Sequence, residues 1–115
     1  MRELVKIFKA AGDKNRLRIL KMLESKKMCV CELSAALGIT QPSVSKHLSI
    51  LREAGLVQDE RDGQWIDYCL CEEKRNQYAP VILKHIKDWV NNDPKIKEDI
   101  KKSKSLCRQE ICKKM

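Results

Sequence analysis

Residues 29–56, CVCELSAALGITQPSVSKHLSILREAGL, decide the architecture of this chain. Their first part predicts a short helix, because Leu33, Ala36 and Leu37 stand at i, i+3 and i+4 and turn one face inward. Gly38 stops it, glycine being the residue that accepts the left-handed backbone common just past a helix end. Thr40 then reads as the cap of a second helix. Gln41 and Pro42 fall in the first turn of that helix, where the N–H that proline lacks has no intrahelical partner to lose. Val44, Leu48 and Leu51 repeat at i, i+4 and i+7 and form a narrow buried stripe, which ends at Gly55. Ser43, Ser45, Lys46 and Ser49 lie off that stripe. Short, donor-rich side chains on an exposed helix face suit close approach to base edges and phosphates. The pattern is a helix-turn-helix whose second helix is the recognition helix.

The flanks extend this reading. Leu56–Glu60 predicts a strand, Arg61-Asp62-Gly63 a turn, and Gln64–Leu70 the returning strand, with Ile66, Tyr68 and Leu70 alternating against polar or small residues. A hairpin directly after a recognition helix is a wing, and it carries Arg61 near its tip. Upstream, Leu4, Ile7, Phe8 and Ala11 give residues 1–11 one apolar face, and Asp13 predicts the cap of a helix over 14–24. Downstream, residues 76–91 read as a fifth helix with Tyr78, Ile82, Ile86 and Trp89 along one side. That stripe is too rich for a lone surface helix, so the first and fifth helices are expected to form a two-fold interface. His85 has only Asp88 at i+3 and no second histidine nearby, which reads as structural. The expected fold is mainly α with a small β-hairpin: a winged helix-turn-helix working as a homodimer. The DNA-facing candidates are Gln41, Ser43, Ser45, Lys46, His47, Ser49 and Arg52 on the recognition helix, with Arg61 on the wing.

At 115 residues the chain has room for one modest core. It is organised as a winged-helix and dimerisation domain over 1–92 and a basic, cysteine-containing helix and tail over 93–115. Packing residues thin out beyond Lys102, where the tail is expected to be mobile. The net charge of +8 favours a polyanionic partner, yet residues 1–94 hold only +3 of it and residues 95–115 the other +5. DNA binding therefore rests on the motif rather than on bulk charge. No apolar run is long enough to span a bilayer and no secretory leader is visible, so a cytoplasmic protein without a membrane partner is expected. Six cysteines in a reducing compartment point to metal or redox chemistry rather than to disulfides.

Cys29 and Cys31 sit at a helix start, separated by one residue. On a regular helix such a pair diverges by about 200°, so distortion is needed to bring both onto one ion. In the first turn that distortion is cheapest, because the leading N–H groups have no intrahelical partner. A helix N-terminus also favours the thiolate, the form that binds soft ions. On spacing alone the pair fits either a soft-ion site or two small core hydrophobes. Cys69 and Cys71 fall on the second wing strand, on one face with Trp65 and Asp67 and beyond the recognition helix. Cys107 and Cys112 lie in the tail. There is no Ser-His-Asp set, no Gly-rich phosphate loop and no paired carboxylates on one face, so no enzymatic role and no organic cofactor are expected. A small thiol oxidoreductase or metal carrier would want C-x-x-C at a strand–helix junction, and only C-x-C is present.

The run CVCEL…QPSVSKHLSILREAGLV, followed by RDGQWIDYCL, resembles the ArsR/SmtB family of winged-helix metalloregulators, and the match extends to about Trp89. MCVCEL is similar to the CVC box that arsenic- and antimony-responsive members carry on the helix before the recognition helix. The resemblance implies a dimeric repressor that leaves double-stranded operator DNA when arsenite or antimonite binds its cysteine thiolates. Repressors of the same fold that sense cadmium, lead, zinc or thiol oxidation are the alternative. One departure stands out: where such sensors often carry a third cysteine, this chain has Ser34. With the wing cysteines held in their hairpin, the tail is the segment able to fold back. The expected ligand set is therefore Cys29 and Cys31 completed by Cys107 or Cys112.

Overall fold

A computed structural model describes residues 1–106. In chain order the elements are α1 (Arg2–Ala11), α2 (Lys14–Leu23), β1 (Met28–Cys29), α3 (Val30–Leu37), α4 (Gln41–Glu53), β2 (Val57–Asp62), β3 (Trp65–Leu70), α5 (Ala79–Ile86) and α6 (Pro94–Ser105). The apolar stripes meet in one core: Ile7 of α1, Ile19, Leu20 and Met22 of α2, Leu33 of α3, and Val44, Leu48 and Leu51 of α4 are all fully buried. Burying each Leu or Ile contributes roughly 1.5–3 kcal/mol, which is what holds the two helices of the motif on a common base. Gly38 ends α3 with φ +72°, as the reading of the turn requires. Asp13 caps α2, its Oδ1 accepting from the N–H groups of Asn15 (2.9 Å) and Arg16 (3.1 Å).

The hairpin belongs to a three-stranded antiparallel sheet in the order β1-β3-β2. Sequence periodicity cannot reveal β1, because two residues are too few to show alternation. Its register pairs Met28 with Tyr68 and Cys29 with Asp67. The expectation that the wing cysteines sit remote from the CVC box is thereby corrected: β3, which holds Cys69, runs directly beside the strand holding Cys29. Cys71 lies one residue beyond β3, where its N–H donates to the Leu56 carbonyl (2.9 Å). The wing turn is also one residue later than expected. Asp62 still pairs with Trp65, so Arg61 is part of β2 opposite Ile66, and the loop is Gly63-Gln64. Gly63 takes φ +62°, a left-handed position free of Cβ strain for glycine.

α5 is shorter than the 76–91 stretch the apolar stripe suggests. Before it, Asn76 Oδ1 accepts from the Tyr78 N–H (2.9 Å), a local turn that competes with helix. After it, Val90 adopts φ +53° and breaks the chain direction. Between these, Lys21 reaches over from α2 with a side chain closed off from solvent. Its Nζ donates to the carbonyls of Ile86 (2.9 Å) and Lys87 (3.3 Å) and pairs with Glu24 (2.9 Å). A cation against the last carbonyls of a helix is favourable, and here it fixes where α5 ends.

A turn precedes α6. Asp93 caps that helix, Oδ1 accepting from Lys95 N (2.8 Å) and Ile96 N (3.3 Å). α6 packs on α2 and α3. Arg18 grips Asp99 through two parallel hydrogen bonds of 2.7 and 2.9 Å, and both side chains are nearly closed to solvent. The helix continues past Lys102, where packing was expected to end, because Ser103 is buried and its hydroxyl donates to the Ile100 carbonyl (2.7 Å). Cys107 and Cys112 lie outside the described residues. Among the described residues no helix is long and apolar enough to cross a membrane.

Candidate nucleic-acid interface and sensor thiols

The recognition helix is set by its own first turn. Thr40 caps it, Oγ1 accepting from Ser43 N (3.4 Å), and Pro42 occupies a position where no N–H is needed. With Val44, Leu48 and Leu51 facing the core, Pro42, Ser43, Ser45 and Lys46 face solvent. Of these, Ser43, Ser45 and Lys46 are exposed donors among the DNA-facing candidates. Of the other candidates, His47 and Arg52 are tied into the protein, while Ser49 is half-buried. His47 Nδ1 lies 3.2 Å from Arg16 Nη1. Arginine has donors only, so Nδ1 accepts and the ring proton belongs on Nε2. The same guanidinium donates to the carbonyls of Ala10 (2.7 Å) and Lys9 (3.2 Å), so His47 is moored to the end of α1. Arg52 reaches the wing and pairs with Asp59 (2.9 Å), fixing the angle between α4 and β2. Arg61 is exposed on β2 beside the hairpin loop. Lys27, next to β1, pairs with Glu60 of the wing. Arg16 and Lys27 carried no sequence signal as organising residues, because their partners are far along the chain.

The thiols of the CVC box occupy different surroundings. Cys29 is 4% exposed, the last residue of β1 and the cap of α3. It shares a reciprocal cap with Glu32: its N–H donates to Glu32 Oε1 (3.1 Å), and its side chain accepts from the Glu32 N–H. Cys31 is half-buried one residue inside the helix, and its sulfur accepts from Gln41 Nε2 at 3.7 Å. Ser34 is committed as well, donating to the Ile39 carbonyl at 2.5 Å. It steadies the turn in the place where a third thiol would stand. Among the described residues no three His, Cys, Asp or Glu side chains already converge as a metal cage. Cys69, on the strand that pairs with β1, lies beside Lys27, Glu60 and Glu72. Burial, reinforced by the charge of Glu60, pushes its thiol above the ordinary range.

The family model described as "Bacterial regulatory protein, arsR family" matches residues 13–59, which span α2 to the start of the wing. Over 101 residues the chain is 39% identical to the arsenic resistance transcriptional regulator ArsR1 of Pseudomonas putida, covering 81% of this chain and 78% of that protein. The chain belongs to the ArsR family of transcriptional regulators. Within that ArsR family it is also 43% identical over 67 residues to the arsenical resistance operon repressor of Escherichia coli, covering 57% of this chain and 57% of that one. The homodimeric winged helix-turn-helix DNA-binding domain Mb0332 of Mycobacterium bovis matches the fold with a TM-score of 0.64. That match covers 74% of this chain and 75% of the other at 22% identity. As an ArsR-family protein the chain is a DNA-binding transcriptional repressor, and α4, the second helix of its helix-turn-helix, exposes Ser43, Ser45 and Lys46.

Proposed function

We propose that this repressor senses arsenite or antimonite through Cys29 and Cys31 and leaves its operator when the ion is bound. The observation that carries the reading is the position of Cys31: a thiol at the start of α3 whose sulfur already contacts the first residue of the recognition helix. The identity to a regulator named for arsenic resistance supports the choice of ion. Arsenite carries three hydroxyls, each exchangeable for a cysteine thiol whose proton leaves with the hydroxyl as water, so two cysteines leave one position to fill. Cys107 or Cys112 is the proposed third donor. In support, α6 packs on α3, and Leu106, the residue before Cys107, packs against the core. The protein works as a homodimer through α1 and α5, with Phe8 and Val81 exposed on them and Trp89 exposed just beyond α5.

The experiment is operator binding to DNA upstream of the chain's own gene, followed by fluorescence anisotropy with and without arsenite. Cys29→Ser and Cys31→Ser are expected to keep operator affinity and lose the response. A single variant that still dissociates at the wild-type dose removes the CVC box as sensor. Parallel titrations with cadmium, lead, zinc and peroxide separate arsenite from the other thiol-directed signals. Truncation after Leu106 tests the tail, with loss of one thiolate–arsenic bond in the absorbance expected.

A further inference from the structure

Cys31 and Gln41 belong to different helices of the motif, ten positions apart, and their side chains meet across the turn. Sulfur is a weak acceptor, so this contact positions more than it stabilises. Its place gives it leverage. Gln41 is the first residue of α4, just before Pro42, so holding its side chain holds the head of the recognition helix against α3. One turn along α3, Ser34 holds the Ile39 carbonyl. Positions 31 and 34 share a helix face, so α3 is fastened along one edge both to the turn and to the head of α4.

Cys29 is the extended cap residue before α3 and Cys31 lies within its first turn, so an ion shared by both thiols draws on two differently held side chains. Moving Cys29 would disturb its pairing with Asp67 and its reciprocal cap with Glu32. Moving Cys31 gives up the weaker contact to Gln41. We infer that Gln41 is a positioning residue that reports the occupancy of Cys31 to the recognition helix. When an ion takes the Cys31 sulfur and draws it toward Cys29, the Gln41 amide loses this acceptor and the head of α4 is released from α3. This rests on the thiol-sensing reading above and names the device by which that site acts.

The test is Gln41→Met, which keeps the side-chain length and removes the N–H donors. Operator affinity is measured with and without arsenite, and arsenite binding is followed by thiolate–arsenic absorbance. Gln41 also faces the DNA side, so the readout is the ratio of the two affinities rather than either one alone. A purely structural or DNA-contacting role would weaken both states together and leave the ratio unmoved. The expectation is arsenite binding to free protein within about twofold of wild type and a ratio at least tenfold smaller. Linkage requires the same loss when arsenite is titrated into the operator complex. In the wild-type protein, the side-chain amide resonances of Gln41 are expected to shift on arsenite addition, a readout independent of any variant's stability. An unchanged ratio, or an amide indifferent to arsenite, overturns the inference. Wild-type protein whose operator affinity ignores arsenite overturns the sensing reading and this linkage together; a responsive wild type with an equally responsive Gln41→Met overturns the linkage alone.

Discussion

Lys46 gives the simplest test of the DNA-facing surface, because it is exposed on α4 while His47 and Arg52 on the same helix are held by Arg16 and Asp59. If its ammonium neutralises one phosphate, Lys46→Ala weakens operator binding and lowers the slope of log affinity against log salt by about one unit. An unchanged slope with lost sequence discrimination would mark Lys46 as a base reader instead. The thiols differ in reactivity by position. Cys69 is pushed up by burial and by Glu60, so it stays protonated to higher pH than an ordinary thiol. Its alkylation by iodoacetamide is expected to accelerate only above the pH at which a model thiol reacts, read by mass spectrometry of the modified peptide. Equal rates at neutral pH would contradict that environment. The sign for stability follows: the contribution of Cys69 is complete below the ordinary thiol range and falls as pH rises through the elevated value.

α6 is tied to α2 by the buried Arg18–Asp99 pair. Replacing Asp99 by Ala leaves the Arg18 guanidinium buried without its carboxylate, a defect that costs roughly 3–5 kcal/mol in buried pairs. Asp99→Ala is therefore expected to lower the unfolding midpoint markedly and to free α6, seen as faster amide exchange over residues 94–105. Slow exchange there in the variant would show that Ile96 and Ser103 suffice to dock it. This contact also shows why part of the fold was hidden in the sequence. The helix-turn-helix was legible because Leu33, Ala36, Leu37, Val44, Leu48 and Leu51 repeat with helical period between glycine stops. Arg18 and Asp99 are 81 positions apart, and no local pattern joins them. β1 escaped because Met28 and Cys29 show no alternation of their own; only pairing with β3 defines them. α5 was overread because its apolar stripe continues to Trp89, while Asn76 and the backbone at Val90 decide where the helix stops. At the site, the cysteine pair was plain in CVC, but its contact with Gln41 depends on how the Gly38 turn folds α4 back on α3.

The protomer measures 44 × 32 × 21 Å and carries a single recognition helix. Reading two half-sites about 34–36 Å apart requires a second copy arranged about a two-fold axis. Residues 1–94, which hold the motif, carry only +3 of the net +8, so operator affinity is expected to depend on two motifs engaging together. The proposed interface lies on α1 and around α5, where Phe8 is 59% and Trp89 51% exposed while Ile82 and Ile86 line the hollow between them. Phe8→Glu isolates the effect. The ring is already solvated in the protomer, so folding stability of the single chain should change by no more than about 0.5 kcal/mol. Placed at a two-fold interface, however, the new carboxylate meets its own copy as well as apolar surface, and association should fail. Sedimentation is expected to show a monomer with the unfolding transition of a folded chain, and operator binding should drop to the non-specific level. A Phe8→Glu protein that still sediments as a dimer would place the two-fold axis elsewhere on the molecule.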